Sequence, residues 1–243
     1  MLVFAAILAT QLAGANEPWA LSVVGGSTVA SGKNTVELGL GLPSVASLAY
    51  RRGLSGHLDV GARVNFTFGV EGVPPGSFTS LPGQVIPVRS DRFWGGKAQA
   101  LVKAKLAQSG ALSIGLTIEP GVFVVILNFG SPTAPAVTVG GLSLPIEAKL
   151  GFATSDATTV GLSVGAPAWL GFGLLVVPVL AGIGIEHRLD DGHLLWARAR
   201  AGPTFAVHPG PVYYDAGAGS GPPYSPGPVP LSADFQLGVA FAF

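Results

Sequence analysis

The sequence predicts an all-β chain folded as a transmembrane antiparallel up-and-down β-barrel of about ten strands, and three observations predict it. Apolar and polar residues alternate with period two along most of the 243 residues. Charged side chains make up only 11% of the chain while hydrophobic ones reach 49%, with a mean hydropathy of +0.54. The connections between the alternating stretches are short and long in turn. Successive side chains of a strand point to opposite faces, so period two makes one face oily and the other polar.

Composition excludes other classes. Thirteen basic side chains balance thirteen acidic ones with no basic run, which argues against a nucleic-acid partner. The absence of Cys removes disulfide scaffolds, thiolate metal sites and thiol catalysis. A helical span needs about 20 apolar residues. Residues 166–185 lack ionisable groups, but Pro167, Pro178 and four glycines make them a poor helix. Near the start, residues 2–8 are apolar and Leu12-Ala13-Gly14-Ala15 offers a small-x-small cleavage pattern, so residues 1–15 read as a signal peptide.

Strands are expected near 35–42, 45–52, 57–69, 93–107, 111–126, 139–152, 158–166, 175–187, 194–206 and 232–243. In the third, Leu58, Val60, Ala62, Val64, Phe66 and Phe68 alternate with Asp59, Gly61, Arg63, Asn65 and Thr67. The fourth sets Ala98, Ala100, Val102, Ala104 and Leu106 against Lys97, Gln99, Lys103 and Lys105. The sixth sets Leu142, Leu144, Ile146, Ala148, Leu150 and Phe152 against Glu147 and Lys149. In the ninth, Leu195, Ala197 and Ala199 alternate with Trp196, Arg198 and Arg200. Tight turns at 53–56, 108–110, 153–157 and 188–192 oppose long connections at 70–92, 127–138, 167–174 and 207–231, with only Pro43-Ser44 short on that side. This alternation, with both termini on the short-turn rim, fits an even-stranded barrel.

Charge follows the same parity. Seven basic residues (Arg63, Lys97, Lys103, Lys105, Lys149, Arg198, Arg200) and six acidic ones (Glu37, Asp59, Glu119, Glu147, Glu186, Asp234) take the polar face. On the apolar face only Arg52, at a strand end, is charged. A Lys or Arg facing lipid at the midplane costs about 2–4 kcal/mol, which explains the purge. Phe66, Phe68, Trp94, Phe205 and Phe235 form one aromatic belt, and Tyr50, Phe152, Phe241 and Phe243 the other. Trp196 takes the inward parity and reads as lumen packing.

The closing stretch, Phe235-Gln-Leu-Gly-Val-Ala-Phe-Ala-Phe243, resembles the last strand of bacterial outer-membrane β-barrel proteins, and Tyr50 to Val64 looks like one of their periplasmic hairpins. The resemblance implies a bacterial outer-membrane location, contact with outer-membrane lipid, and recognition of the Phe243 end by the barrel-assembly machinery. On this reading residues 16–34 form a periplasmic N-terminal segment and residues 35–243 the barrel.

Function is less legible. The thirteen inward charges suit either an ion-paired filling or a polar conduit, and ten strands leave an interior only slightly wider than side chains fill. Arg200 and Asp234, on adjacent strands at similar height, are the expected pair. Tyr213, Tyr214 and Tyr224 lie on a Pro/Gly-rich exterior loop and are candidates for recognition of an extracellular ligand. His208 with Asp215 and Ser220 is the one group suited to rim hydrolysis, without the scaffold that would fix its geometry. No metal or cofactor is expected. The favoured function is a non-enzymatic outer-membrane barrel, structural or surface-interacting, followed by a narrow passive pore and then a rim hydrolase.

Overall fold

The computed structural model describes residues 21–68, 93–127, 137–171, 174–207 and 231–243. Twelve strand segments build ten staves: β1 (Asn34–Leu42), β2 (Ser44–Ser55), β3 (Leu58–Phe68), β4 (Phe93–Ser109), β5 (Leu112–Ile118), β6 (Gly121–Leu127), β7 (Val137–Ala153), β8 (Thr158–Gly171), β9 (Leu174–Pro178), β10 (Leu180–Arg188), β11 (His193–Val207) and β12 (Leu231–Ala242). β5 and β6 are one stave interrupted at Glu119-Pro120; β9 and β10 are one interrupted at Val179. Each stave pairs antiparallel with its neighbours, and β12 returns to β1 in the register Leu40↔Leu237. Phe243 and Asn34 exchange both backbone hydrogen bonds at the seam, at 2.9 and 3.0 Å. Closure leaves no edge, which a lipid-embedded sheet requires.

The even-spaced apolar residues point outward. Leu162, Val164 and Ile183 are 51%, 57% and 58% exposed, whereas Asp59 and Lys103 are 0% and 1% exposed. A soluble sandwich would bury the first group and expose the second, so the outer wall faces hydrocarbon. Rings gather at the rims: Trp94 packs on Phe66 and Phe68, with centroids 5.5 and 4.7 Å apart, at the long-connection rim. At the other rim His193 packs edge-on to Phe241. An all-β closed barrel with an oily exterior and a charged interior is an outer-membrane architecture, and this protein resides in a bacterial outer membrane.

Two expectations are corrected here. The break expected at Pro167 does not occur: β8 continues to Gly171, so the connection expected over 167–174 shrinks to residues 172–173 between β8 and β9. Proline is tolerated because of where its missing donor points. The Glu119 amide donates to the Pro145 carbonyl, so Pro145 bonds toward β5 and its juxtaposition with Pro167 takes no ladder bond between β7 and β8. Pro120, Pro145, Pro167, Pro178 and Pro203 lie within a residue of one another's register, forming a row across five adjacent staves where both interruptions fall. The Glu119 carbonyl, deprived of a donor by Pro145, accepts instead from the Gln99 side-chain amide at 3.2 Å.

The second correction concerns residues 16–34. Read from the sequence as a periplasmic N-terminal segment apart from the barrel, they enter it in their described part. Residues 22–29 lie within the short-turn end of the lumen, with Ser22, Val23, Val24, Thr28 and Val29 all buried. We call this segment the strap. Residues 1–20, including the expected signal peptide, lie outside the described residues, as do Tyr213, Tyr214, Tyr224, His208, Asp215 and Ser220.

Candidate functional site

The site is the lumen, which is filled in layers. Nearest the short turns, Val23 and Val24 of the strap pack with Leu194, Trp196 and Ala240. Trp196 fits because the wall opposite it is glycine: a Cβ on Gly238 would stand 2.8 Å from its ring, and one on Gly39 would stand 3.1 Å away.

The strap is held by polar groups of both signs. Glu186 accepts from the amides of Val23 and Val24 at 2.9 and 3.0 Å. Asp59 accepts from the Val29 amide at 2.9 Å, and the Ser113 hydroxyl from that of Gly26 at 3.2 Å. Lys103 donates to the Ser22 carbonyl at 2.7 Å and Lys149 to that of Val23 at 2.8 Å. Arg51 donates to the Ser22 carbonyl with both terminal nitrogens, at 3.3 Å. Charge-assisted bonds of this kind are about twice as strong as neutral ones.

Inward glycines cut a channel for this segment. Added Cβ atoms on Gly115, Gly161 and Gly184 would stand 2.5 Å from the Gly26 carbonyl oxygen, 2.8 Å from that of Val24 and 2.0 Å from a Val24 methyl. From the sequence these glycines read only as room for long charged side chains; the strap is what occupies it.

Above the strap lies a belt of ion pairs. Arg51 bridges Glu37 and Asp59, reaching the latter at 3.4 Å. Arg63 donates to Glu119 at 2.7 and 3.0 Å and to Glu37 at 3.3 Å. Arg200 and Asp234 stand opposite each other in register, and Arg200 Nε donates to both carboxylate oxygens at 3.1 and 2.9 Å. Glu147 gathers Arg200 at 3.1 Å, Lys149 at 3.3 Å and Arg198 at 3.5 Å, and Arg198 also donates to Gln236 at 2.8 Å. Between Arg63, Gln99, Glu119, Glu147, Arg198 and Arg200 lies a partly open pocket of about 30 Å³, room for about two waters. Above it, Phe123 packs edge-on against Trp169 at 5.5 Å, with Val125 and Val176 also buried.

Lys103 and Glu186 bind the strap, and the two remaining expected lumen charges lie toward the ends of their staves. Lys105 is half-buried beside a register shift near the short turns and donates to Gln108 at 2.8 Å. Lys97 is buried on the long-connection side, level with Asn65 and Phe123.

Sequence reasoning passed over Arg51, Phe123 and Trp169. The parity of Leu48 and Tyr50, both exposed, places Arg51 inside, so its signal was present beside that of Arg52. Phe123 and Trp169 break the rule that inward residues are polar. At the short-turn rim, Asp190 accepts from the Gly192 amide at 2.8 Å and lies 2.7 Å from His193 Nδ1. The Gly192 amide foremost, and His193 after it, lower the Asp190 pKa. That turn therefore gains stability above the carboxyl's ordinary value and loses it as pH falls through the lowered one. Among the described residues no group of three or more His, Asp or Glu is placed to hold a metal.

No protein-family model matches the chain, and no curated protein does. Solved structures similar to it include a KdgM porin, at 6% identity and a TM-score of 0.36 over 87% of this chain and 99% of that one. The outer membrane protease OmpT from Escherichia coli is similar at 10% identity and a TM-score of 0.38, over 87% of this chain and 93% of that one. A ΔS2S3 mutant of the monoaromatic hydrocarbon channel TodX is similar at 10% identity and a TM-score of 0.33, over 86% and 88%. These are likenesses of barrel architecture and carry nothing about activity.

Proposed function

We propose that this outer-membrane barrel is a sealed, non-enzymatic scaffold, structural or surface-interacting through its exterior connections. The observation that carries the reading is the lumen filling. Strap, ion-pair belt and the Phe123–Trp169 layer follow one another along the axis, and the pocket within the belt has a volume of about 30 Å³. A conduit with fixed charges needs those charges to face water. Here Glu37, Asp59, Lys103, Glu147 and Arg200 are all buried and are bonded to one another or to the strap. Such groups tolerate low dielectric only when paired, which suits a permanent filling.

The passive-pore reading is opposed by the same belt. Single-channel recording in planar bilayers separates the two: the refolded chain is expected to insert without conductance steps. Reproducible steps at neutral pH and moderate salt would overturn the sealed reading.

A further inference from the structure

We infer that the short-turn mouth of the lumen is a peptide-binding site, of which the strap is the tethered ligand. Its further occupant is an extended segment of the same pattern presented from the periplasmic side, such as the strap of a second copy of this chain.

Three observations carry this. First, most polar contacts from the strap to the wall run through strap backbone: amides of Val23, Val24, Gly26 and Val29, and carbonyls of Ser22 and Val23, with the Thr28 hydroxyl, which donates to the Gly56 carbonyl at 3.1 Å, as the side-chain exception. A site that reads backbone accepts any chain able to lie in it, as in strand-addition recognition. Second, selectivity comes from shape. A Cβ on Gly26 would stand 2.5 Å from the Ile114 carbonyl carbon and 2.6 Å from the Gly115 nitrogen, so the site demands glycine there. Two apolar residues must precede the glycines to fill the space beside Trp196 and Leu194. Third, the strap is no part of the barrel ladder. Among the described residues the isolated β-bridge that joins the N-terminal segment to the staves, Ser31↔Gly53, is parallel and follows the strap, while β1 and β12 close the wall without it. The wall is complete when the strap leaves, and the vacated groups carry both signs.

The test uses the full chain with Gly26→Val, which is expected to expel its own strap and leave every wall residue unchanged. A fluorescent synthetic peptide of residues 21–33 is titrated against the refolded variant by anisotropy, next to the same peptide carrying the valine. The expected result is saturable, one-to-one binding of the glycine peptide, and binding of the valine peptide weaker by about tenfold or more, because its side chain would stand against the Ile114 and Gly115 backbone. Adding Glu186→Gln to the barrel is expected to weaken the glycine peptide likewise. In a chain that is folded by heat-modifiable mobility, absent or equal binding of the two peptides overturns the inference, as does continued protease protection of the valine strap. Should Gly26→Val prevent folding, labelled glycine peptide is offered to the unmodified chain instead: uptake is expected, and no uptake overturns the site. Conductance is not the readout, so failure here leaves the sealed reading standing.

Discussion

Arg51→Leu is expected to destabilise the barrel by about 3–5 kcal/mol, the usual cost of stripping one partner from a buried ion pair. Arg51 is 3% exposed and is the shared counter-charge of Glu37 and Asp59, which are 3% and 0% exposed. It also binds the Ser22 carbonyl, so its loss leaves two buried carboxylates and one strap carbonyl short of a donor. Arg63 still reaches Glu37, and the Val29 amide still reaches Asp59, which keeps the cost from being larger. The cause is charge, so neutralising the carboxylates must reverse much of it. Arg51→Leu combined with Glu37→Gln and Asp59→Asn is expected to recover more than half of the loss in urea titrations followed by gel mobility. A triple variant less stable than the single one would show that packing governs this position.

The second large effect is strap release by a methyl group. The three atoms nearest to a Cβ on Gly115 would all belong to Gly26, its carbonyl oxygen at 2.5 Å, and the three nearest to one on Gly161 would all belong to Val24, from 2.8 Å. The atoms that stand nearest to either added methyl thus belong to the strap and not to the wall. Gly115→Ala with Gly161→Ala is therefore expected to free residues 22–29 while leaving β5, β7 and β8 paired. Proteinase K is expected to cut within the strap of this variant in minutes, where the unmodified chain resists, while heat-modifiable mobility stays unchanged. Equal resistance in both would show that the strap adjusts within its channel. Loss of folding would show that the strap is integral to the wall.

The outer surface was legible in the sequence because hydrocarbon imposes a rule on every outward position. Leu38, Val64, Leu162 and Ile183 keep one parity, and a charge in their place would cost kilocalories. The pairing of Arg200 with Asp234 followed from that parity and a count of residues up each stave. The strap was not legible: Ser22-Val-Val-Gly-Gly has no periodicity, and its place is set by partners such as Glu186, 163 residues away in the chain. Arg51 was legible in principle, but two successive arginines near a strand end hide which of them points inward. The inward rings of Phe123 and Trp169 were hidden because a lumen, unlike lipid, accepts apolar and charged residues alike. The row of prolines looked like strand ends one at a time. It becomes intelligible only in the register, which at Pro145 puts the missing donor opposite the Glu119 carbonyl that Gln99 serves instead.

The division between lipid outside and enclosed charge inside is tested most directly by the chain's own lack of cysteine. Single cysteines at Leu162, Ser163 and Val164 on β8, spin-labelled in bilayers, report collision with oxygen and with an aqueous nickel chelate. Leu162 and Val164 are expected to be open to oxygen and closed to nickel, and Ser163 closed to both. Nickel access at Leu162 and Val164, or at Ser163, would contradict the sealed barrel.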